Sequence, residues 1–253
     1  MYAQERQRKI VERARAEGRA DVAALSTDFD VTTETVRRDL TVLERQGLLR
    51  RVHGGAIPVE RLGFEPGLAD RDAVLTSEKE RIAKAALAEL PAEGSVLLDA
   101  GTTTARLAEI LPNDRELTVV TNAVPLVASL AVRPQVTVLL LGGKVRGRTM
   151  AAVEDWTLRA LADICIDVAF LGTNGMSADR GLTTPDTGEA AVKRAMIHAA
   201  RRVVVLADHT KAGNDYLARF GDLSDVDVIV TDSGLDSELG EQLAAAGPEV
   251  VQA

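Results

Sequence analysis

Hydroxyl and guanidinium side chains cluster in one short stretch near the start of the chain. Threonines come first and two arginines follow, in the order Thr32, Thr33, Thr35, Arg37 and Arg38. Threonine hydroxyls suit close approach to bases and phosphates, and an arginine reaches a phosphate or a guanine edge through paired N–H donors. These residue types at this spacing predict contacts with a nucleic acid.

The same stretch has the pattern of an amphipathic helix. Val36, Leu40 and Leu43 recur at i, i+4 and i+7, which predicts one apolar stripe with both arginines on the solvent side. Thr32 is suited to cap the free N–H groups of the first turn, and Gly47 is suited to the left-handed position after the last turn. The sequence therefore predicts a helix with threonines at its N-terminus and arginines along its exposed side.

Flanking segments extend this helix into a DNA-binding unit. Residues 22–29 predict a preceding helix, residues 48–52 a short basic strand, and residues 53–55 a tight turn closed by Pro58. In a winged helix-turn-helix of this kind, the second helix lies in the major groove of double-stranded operator DNA. The strand and turn then bring further basic side chains to the DNA backbone or the minor groove, namely Arg50, Arg51 and His53.

Length and charge divide the chain into two parts. The 253 residues, 46% of them hydrophobic, suit two folded domains, which we expect at residues 1–58 and 77–253 with a linker at 59–76. Residues 1–58 hold 11 of the 30 Lys and Arg and 9 of the 38 Asp and Glu, so their balance of +2 leaves −10 for the remainder. An acidic remainder repels DNA and favours DNA binding through the first domain alone.

Composition excludes several classes of protein. The sequence has no apolar run that approaches the length of a membrane span and its first residues are polar, which predicts a cytoplasmic protein without a membrane partner. Cys165 is the only cysteine, so an intrachain disulfide is excluded, and its isoleucine neighbours predict a buried, unreactive thiol. With His53 assigned to DNA, too few histidines remain for a histidine metal cluster, and no metal site is expected.

From residue 78 the pattern changes to an alternation of helices and strands. Continuous Val, Leu and Ile runs predict strands at 96–99, 117–121, 135–141, 168–171, 203–206 and 226–230. Strands of this composition are buried on both faces of a sheet. The sequence therefore predicts a three-layer αβα domain with a mainly parallel sheet.

Polar residues and glycines collect where these strands end. The carboxyl ends of parallel strands lie at one edge of a sheet, where ligands bind in open α/β folds. A glycine turn followed by threonines at a helix N-terminus also offers N–H groups and hydroxyls to an anion. We therefore expect a small phosphorylated ligand at this edge, among Asp99, Gly101, Thr102, Thr103, Thr104, Thr121, Asn122, Gly142, Asp208 and Lys211.

One predicted helix, residues 187–200, adds a pair of ionisable residues. Glu189 and Lys193 are spaced i, i+4 and can serve as an acid/base or sugar-hydroxyl pair, or as a surface salt bridge worth a few tenths of a kcal/mol. The surface role is the expectation for Glu189. Both roles stay open for Lys193, which joins the candidate ligand-binding residues. His198 is expected either at the surface or in packing.

Motifs along nearly the whole chain resemble one protein family. The string TTETVRRDLTVLERQGLLRRVHGGA resembles the N-terminal DNA reader of the DeoR family of bacterial sugar-metabolism repressors. The motifs of that family's sensor domain follow in the family's order, as LLDAGTTT, VVTN, LLLGG, DVAFLGTNG, GLTTPDTGEAAVKRAM and VVVLADHTK. The combination of motifs is highly specific.

This resemblance implies a fold and a function. The second domain is expected to share the ribose-5-phosphate isomerase-like fold. The protein is expected to be a homodimer or homotetramer that represses a catabolic operon, and a phosphorylated sugar is expected to release this repressor from its operator. The family's ligand motif matches Asp99, Gly101, Thr102, Thr103, Thr121, Asn122, Lys193, Asp208 and Lys211. The chain departs from the family at Val153-Glu154-Asp155-Trp156, where a glycine is common, and at His209-Thr210, where two serines are usual. Both departures bear on which effector binds.

Two other functions would each require a further motif. A phosphosugar isomerase with an accessory DNA-binding domain needs a carboxylate base in the loop Gly172-Thr173-Asn174-Gly175, where this chain has Thr and Asn. A redox sensor needs the glycine pattern G-x-G-x-x-G after the first strand, and Gly101-Thr102-Thr103-Thr104 offers one glycine. The sequence therefore predicts a regulator that is not an enzyme and carries no cofactor.

Overall fold

A computed structural model describes residues 3–45, 48–58 and 67–253 of the chain. The chain divides into two compact units, Met1–Glu65 and Pro66–Ala253. The predicted helix end at Gly47 and the first half of the predicted linker, residues 59–66, lie outside the described residues. Among the described residues, no helix is long and apolar enough to cross a membrane.

The first unit is a small helical domain with a three-stranded antiparallel sheet in the order β1-β3-β2. Its elements along the chain are α1 (Ala3–Glu17), β1 (Ala20–Asp21), α2 (Val22–Phe29), α3 (Thr33–Arg45), β2 (Leu49–Val52) and β3 (Gly55–Pro58). The predicted stripe of α3 is confirmed, because Val36, Leu40 and Leu43 are buried. They pack with Ile10 of α1 and Leu25 of α2 in one core.

The wing differs from its prediction in one respect. The sequence predicted a turn that runs on to Pro58, whereas the structure has a tight turn at residues 53–54 and a strand, β3, that pairs with β2 from Gly55 to Pro58. Pro58 fits at the end of β3 because β1 pairs only with Ala56 and Gly55 of this strand. No hydrogen bond to β1 therefore needs a backbone N–H at position 58, which proline lacks. At Gly55, a Cβ would lie 2.3 Å from the carbonyl oxygen of Ala20, so only glycine lets β1 approach.

The second unit alternates helices and strands in a three-layer arrangement. Its first half contains α4 (Leu68–Asp72), α5 (Thr76–Ala86), β4 (Gly94–Leu98), α6 (Thr102–Glu109), β5 (Leu117–Thr121), α7 (Val124–Leu130), β6 (Val136–Leu140), β7 (Lys144–Arg146), β8 (Ala151–Val153) and α8 (Asp155–Ala162). Its second half contains β9 (Ile166–Gly172), β10 (Gly175–Ser177), β11 (Gly181–Thr184), α9 (Thr187–Ala199), β12 (Ala200–Leu206), β13 (Ala218–Gly221), β14 (Val228–Thr231), α10 (Ser237–Ala245) and β15 (Glu249–Gln252).

The predicted parallel sheet is confirmed. Seven strands pair in the order β15-β14-β12-β9-β4-β5-β6, and every pair in this sheet is parallel. The five inner strands bury side chains on both faces. In β4, for example, Leu97 belongs to the core shared with α8, α9 and α10, while Leu98 belongs to the core shared with α5, α6 and α7. The carboxyl ends of the strands therefore meet at one edge, as the sequence predicted.

Two smaller sheets were not predicted, and the exposure of Cys165 was predicted wrongly. The sequence did not predict the hairpin β7-β8 or the sheet β10-β11-β13, because these strands are three or four residues long and lack a continuous apolar run. The expectation that Cys165 is buried was wrong, since its side chain is exposed. Cys165 lies in the turn between α8 and β9, one residue before the strand enters the core at Ile166.

Candidate functional site

The N-terminus of α3 has the capped geometry that the sequence predicted. The hydroxyl of Thr32 accepts a hydrogen bond from the backbone N–H of Thr35 at 3.2 Å, and the two hydroxyls lie 3.0 Å apart. Thr33 is exposed on the first turn, and Arg37 and Arg38 are exposed on the next. The threonines and arginines assigned to DNA therefore share the solvent-facing side of one helix end.

A buried ion pair fixes the orientation of α3. Between the exposed Arg38 and the core residue Leu40, Asp39 turns inward and is 4% exposed. Its carboxylate accepts from Arg6 at 2.5 Å and from Gln7 at 2.9 Å, both on α1. This contact was not predicted, because no local pattern distinguishes Asp39 from its charged neighbours.

The wing is anchored to the same helix. The guanidinium of Arg51 on β2 donates to the hydroxyl of Thr41 on α3 at 3.1 Å, and the backbone N–H of Arg51 donates to Glu44 at 3.0 Å. Arg50 is half-buried on the strand, and His53 is exposed at the turn, where its carbonyl accepts from Arg19 at 2.9 Å. Arg19 thus adds a cation at the wing tip that the sequence did not single out.

In the second unit, a buried ion pair lies at the carboxyl edge of the sheet. The ammonium of Lys193 bonds to the Asp99 carboxylate, and both side chains are almost fully buried. The same carboxylate accepts the Gly172 N–H at 3.1 Å, and Lys193 also donates to the Gly172 carbonyl at 2.8 Å. The Phe220 ring lies 5.4 Å below the ammonium. Asp99 and Lys193 therefore join the ends of β4 and β9 to α9.

Several predicted ligand-binding side chains hold the surrounding loops. Thr104 donates to the carbonyls of Asp99 at 2.7 Å and Gly101 at 2.9 Å, and Thr121 donates to the carbonyl of Leu98 at 2.6 Å. The Asn122 amide accepts from the Ala100 N–H at 3.1 Å and donates to the carbonyl of Ala152 at 3.2 Å. These contacts shape the turn after β4 and connect it to the hairpin β7-β8.

A narrow polar cleft lies beside the ion pair. It is lined by Asp99, Ala100, Asn122, Ala151, Glu189 and Lys193. The expectation that Glu189 forms a surface salt bridge was wrong, because Glu189 is buried and bonds to Thr149 and, at 3.1 Å, to Arg146. Arg146 also lies 3.2 Å from Asp186 at the N-cap of α9. The hairpin β7-β8 is thereby fastened to α9 beside the cleft, while His198 is exposed and lies at the surface rather than in packing.

A second charged cluster follows β12. The buried Asp208 carboxylate accepts from the Thr210 N–H at 3.1 Å and lies 3.6 Å from the Lys211 ammonium. Burial alone would raise the pKa of Asp208, but the charge of Lys211, the hydrogen bonds from Thr210 and the charge of Lys79 outweigh it, so the pKa is lowered. The side chain of Lys211 is 33% exposed, which leaves its ammonium open to an approaching anion.

Lys79 on α5 is a second cation of this cluster, which the sequence did not predict. It is buried and donates to the carbonyls of Arg71 and, at 2.6 Å, Val74. Burial lowers its pKa, as does the positive charge of Lys211, and Asp208 opposes the shift. A lysine in a helix gives no sequence signal that it is buried. The burial of Lys79 is visible only once α4 is packed in the second unit.

The remaining predicted residues differ in their exposure. Within the described ranges, the hydroxyls of Thr102 and Thr103 have no protein hydrogen-bond partner, and Gly101 supplies no side-chain cap to α6. Gly142 is exposed, and its carbonyl accepts from Thr157 at 2.7 Å rather than facing the cleft. His209 was noted as a departure from the family, and its ring bonds at 2.8 Å to the buried Asp232.

The loop that a related isomerase would use for its base has internal partners instead. Thr173 donates to the carbonyl of Gly175 at 2.7 Å, and Asn174 accepts from Thr184 at 3.0 Å. Neither side chain is a base of useful strength. Among the described residues, no group of three or more His, Cys, Asp or Glu side chains is placed to hold a metal ion.

A helix-turn-helix with a basic hairpin, linked to an α/β domain with a polar cleft, defines a DNA-binding protein with a small-molecule sensor domain. Two family models match the chain, the DeoR-like helix-turn-helix domain at residues 6–61 and the DeoR C terminal sensor domain at residues 75–233. The chain belongs to the DeoR family of transcriptional regulators.

Curated relatives are similar to this chain over almost their whole length. The chain is 38% identical over 252 residues to the HTH-type transcriptional regulator GlpR of Haloferax volcanii, covering 99% of this chain and 98% of that protein. It is 33% identical over 233 residues to the glycerol-3-phosphate regulon repressor of Escherichia coli K12, covering 92% of each. These relatives are regulators and not enzymes.

Solved structures give a weaker likeness. Ribose 5-phosphate isomerase A of Methanocaldococcus jannaschii is 18% identical, with a TM-score of 0.38 over 53% of this chain and 52% of that one. The corresponding enzyme of Neisseria gonorrhoeae is 16% identical, with a TM-score of 0.38 over 60% of this chain and 56% of that one. Likeness at this level says nothing about activity.

Proposed function

We propose that this protein is a cytoplasmic repressor of a carbohydrate-catabolism operon, released from its operator by a phosphorylated sugar or polyol. The DNA-binding half of the proposal rests on the exposed threonines and arginines of α3, held in place by the Arg6–Asp39 pair. Arg50, Arg51 and His53 add basic groups on the wing, where the duplex backbone would pass. A homodimer or homotetramer would read repeated half-sites about one helical turn apart.

The effector half rests on two features at the carboxyl edge of the sheet, an uncapped helix N-terminus and a partly exposed lysine. Thr102 and Thr103 keep their hydroxyls free of protein partners within the described ranges, and α6 begins there without a side-chain cap. A phosphate at this point would accept from hydroxyls and N–H groups and face the positive end of the helix. Lys211, with its open ammonium, supplies the counter-charge.

The polar cleft suits the remainder of such an effector. Asp99, Asn122 and Glu189 present oxygen and amide groups that bond to sugar hydroxyls, while Lys193 is already neutralised by Asp99 and holds the carboxylate in position. One relative is named as a glycerol-3-phosphate regulon repressor, so glycerol 3-phosphate heads the group of candidate effectors. Phosphorylated hexoses and pentoses complete it.

A thermal-shift screen tests the proposal. The purified protein is heated with each phosphorylated compound and with its dephosphorylated counterpart, and the true effector alone should raise the melting temperature through binding to the folded state. The same effector should release an operator selected in vitro from random DNA, followed by fluorescence anisotropy. If no phosphorylated compound shifts the melting temperature and none changes operator affinity, the effector half of the proposal is wrong.

Lys211→Ala sharpens this test. Operator affinity should stay within about twofold of the unchanged protein because Lys211 lies in the second unit, whereas the response to effector should be lost. Lys84→Ala, on a solvent-facing position of α5, is a matched control that removes a lysine outside the cluster and should leave the response intact. A fully responsive Lys211→Ala protein would place the phosphate elsewhere.

A further inference from the structure

The short helix α4 lacks an apolar anchor. It opens the second unit just after Pro66, and none of its five described residues is buried. The turn after it is strained, because Leu75 has a left-handed backbone conformation with φ at +53°, which costs free energy for any residue but glycine. A segment with few buried apolar contacts opens easily, so the position of α4 depends on its polar contacts.

Two cations from neighbouring helices supply those contacts. The ammonium of Lys79, on α5, donates to the carbonyls of Arg71 and, at 2.6 Å, Val74. These carbonyls lie in the last turn of α4 and just beyond it. The guanidinium of Arg106, on α6, donates to the carboxylate of Asp72 at 2.8 Å. The C-terminal end of α4 is therefore held by one residue of α5 and one of α6.

Both of these helices also border the proposed phosphate site. The helix α6 begins at Thr102, and Arg106 lies one turn further along the same side. On α5, burial lowers the pKa of Lys79, while the charge of Asp208 raises it and that of Lys211 lowers it. The ammonium that fixes α4 is therefore sensitive to charge at the Asp208–Lys211 cluster.

The empty cluster leaves Lys79 with the carbonyls of α4. The Asp208 carboxylate is engaged by the Thr210 N–H at 3.1 Å and by the Lys211 ammonium at 3.6 Å. Lys79 instead donates to the two backbone carbonyls, which offer it dipoles and no full charge. A phosphate would offer a full negative charge, and an ammonium in a buried place is attracted more strongly by a full opposite charge than by a dipole.

We propose that Lys79 couples effector binding to α4, by holding α4 in the operator-binding arrangement until a bound phosphate draws its ammonium away. Release leaves α4 with the contact from Arg106 alone and lets the strained turn at Leu75 relax. Because α4 is the first described element after the linker, its shift moves the point where the linker joins the second unit. This inference rests on the proposed function and states how the effector signal leaves the site.

Lys79→Met tests the coupling without any effector. Methionine is a flexible apolar side chain that tolerates burial, and it removes the ammonium without touching the residues assigned to DNA or to phosphate. Operator affinity, followed by fluorescence anisotropy, should fall by about five- to 150-fold, the usual range of coupling between two sites. Lys84→Met, at an exposed position of the same helix, is the matched control and should bind like the unchanged protein. Operator binding of Lys79→Met equal to that of the control would overturn the inference.

Hydrogen–deuterium exchange of the full chain, read by mass spectrometry, follows α4 itself. In the unchanged protein, glycerol 3-phosphate should speed exchange across residues 68–75, and glycerol should not. Lys79→Met should exchange fast in this segment without either compound and should change no further when glycerol 3-phosphate is added. If glycerol 3-phosphate raises the melting temperature of the unchanged protein but leaves exchange in this segment the same, the inference is wrong.

The thermal shift separates failure of this inference from failure of the proposed function. Lys79→Met should keep the rise in melting temperature that glycerol 3-phosphate causes in the unchanged protein, because Lys211 and the N-terminus of α6 remain. Loss of this rise together with a lowered melting temperature would make Lys79 a structural residue and overturn the coupling. An unchanged protein that binds no phosphorylated compound would overturn the proposed effector and the release by phosphate, and the comparison of operator affinities would still decide whether Lys79 controls DNA binding.

Discussion

The residues assigned to DNA in the first unit, Arg37 and Arg38, are exposed, whereas those assigned to the effector in the second unit, Asp99 and Lys193, are buried in an ion pair. The difference follows from the size of the ligand. A DNA duplex cannot enter a protein, so its contacts must project from the surface. A small effector is enclosed, and the groups that surround it need partners inside the protein while the cleft is empty.

Each unit also contains the opposite kind of residue. Asp39 in the first unit is buried and paired with Arg6, and Lys211 in the second unit is partly exposed. In both units a buried ion pair thus lies in the same unit as the surface that we propose for ligand binding, and exposed cations are the residues that we expect to meet the charge of the ligand.

The largest expected effect comes from breaking the ion pair of the second unit. Lys193→Met should lower the free energy of unfolding by about 3–5 kcal/mol, because the Asp99 carboxylate remains buried without its counter-charge. Urea unfolding, with the single tryptophan Trp156 reporting on the second unit, measures the change. The double variant Asp99→Leu with Lys193→Met should recover part of the loss. Equal stability of the single variant and the unchanged protein would contradict a buried pair.

A smaller effect is expected at the corresponding pair of the first unit. Asp39→Asn keeps an oxygen that accepts from Gln7 but removes the charge opposite Arg6. It should lower the free energy of unfolding by about 1.5–3 kcal/mol. Circular dichroism during thermal unfolding measures this loss. Operator affinity should fall as well, since α3 loses its anchor to α1. A variant that loses affinity at unchanged stability would mean that Asp39 acts on DNA rather than through packing.

Arg38→Ala should affect function without affecting the fold. The side chain is exposed, so the free energy of unfolding should change by less than about 0.5 kcal/mol. Operator affinity should fall by about 1–3 kcal/mol, roughly five- to 150-fold, if Arg38 reads a guanine. Arg201→Ala is the matched control, because Arg201 is exposed in the second unit. If the slope of log affinity against log salt concentration instead becomes shallower by about 0.9 in the variant, Arg38 contacts a phosphate.

The smallest expected effect is a pH dependence at Asp208. Its pKa is lowered in the folded protein, so its contribution to stability is fully present above the unfolded pKa of about 3.9 and is lost as the pH falls through the folded pKa. The difference in unfolding free energy between the unchanged protein and Asp208→Asn should be constant above about pH 5 and should shrink at lower pH. Acid titration of both proteins in urea measures it. A difference that is the same at both ends of the titration would show that the pKa of Asp208 does not change on folding.

The sequence by itself determined the longer elements of this protein and their class. The helix α2 and the strand β5 have the bounds that their residue patterns predict, and Thr32 caps α3 as its residue type and position predict. These features depend on hydrogen bonds and apolar spacing within a few residues of one another. The parallel sheet follows equally, because runs of Val, Leu and Ile are stable as strands only where both faces are covered.

Only the tertiary structure decided which polar side chains are engaged and which are open. Thr104 and Thr121 look like ligand-binding threonines in the sequence, yet they bond to backbone carbonyls, while the hydroxyls of the buried Thr102 and Thr103 have no protein partner among the described residues. Glu189 is buried because Arg146, far away in the chain, is brought to it by the hairpin β7-β8. Such pairings join residues tens of positions apart, so their energies depend on chain packing that no local pattern encodes.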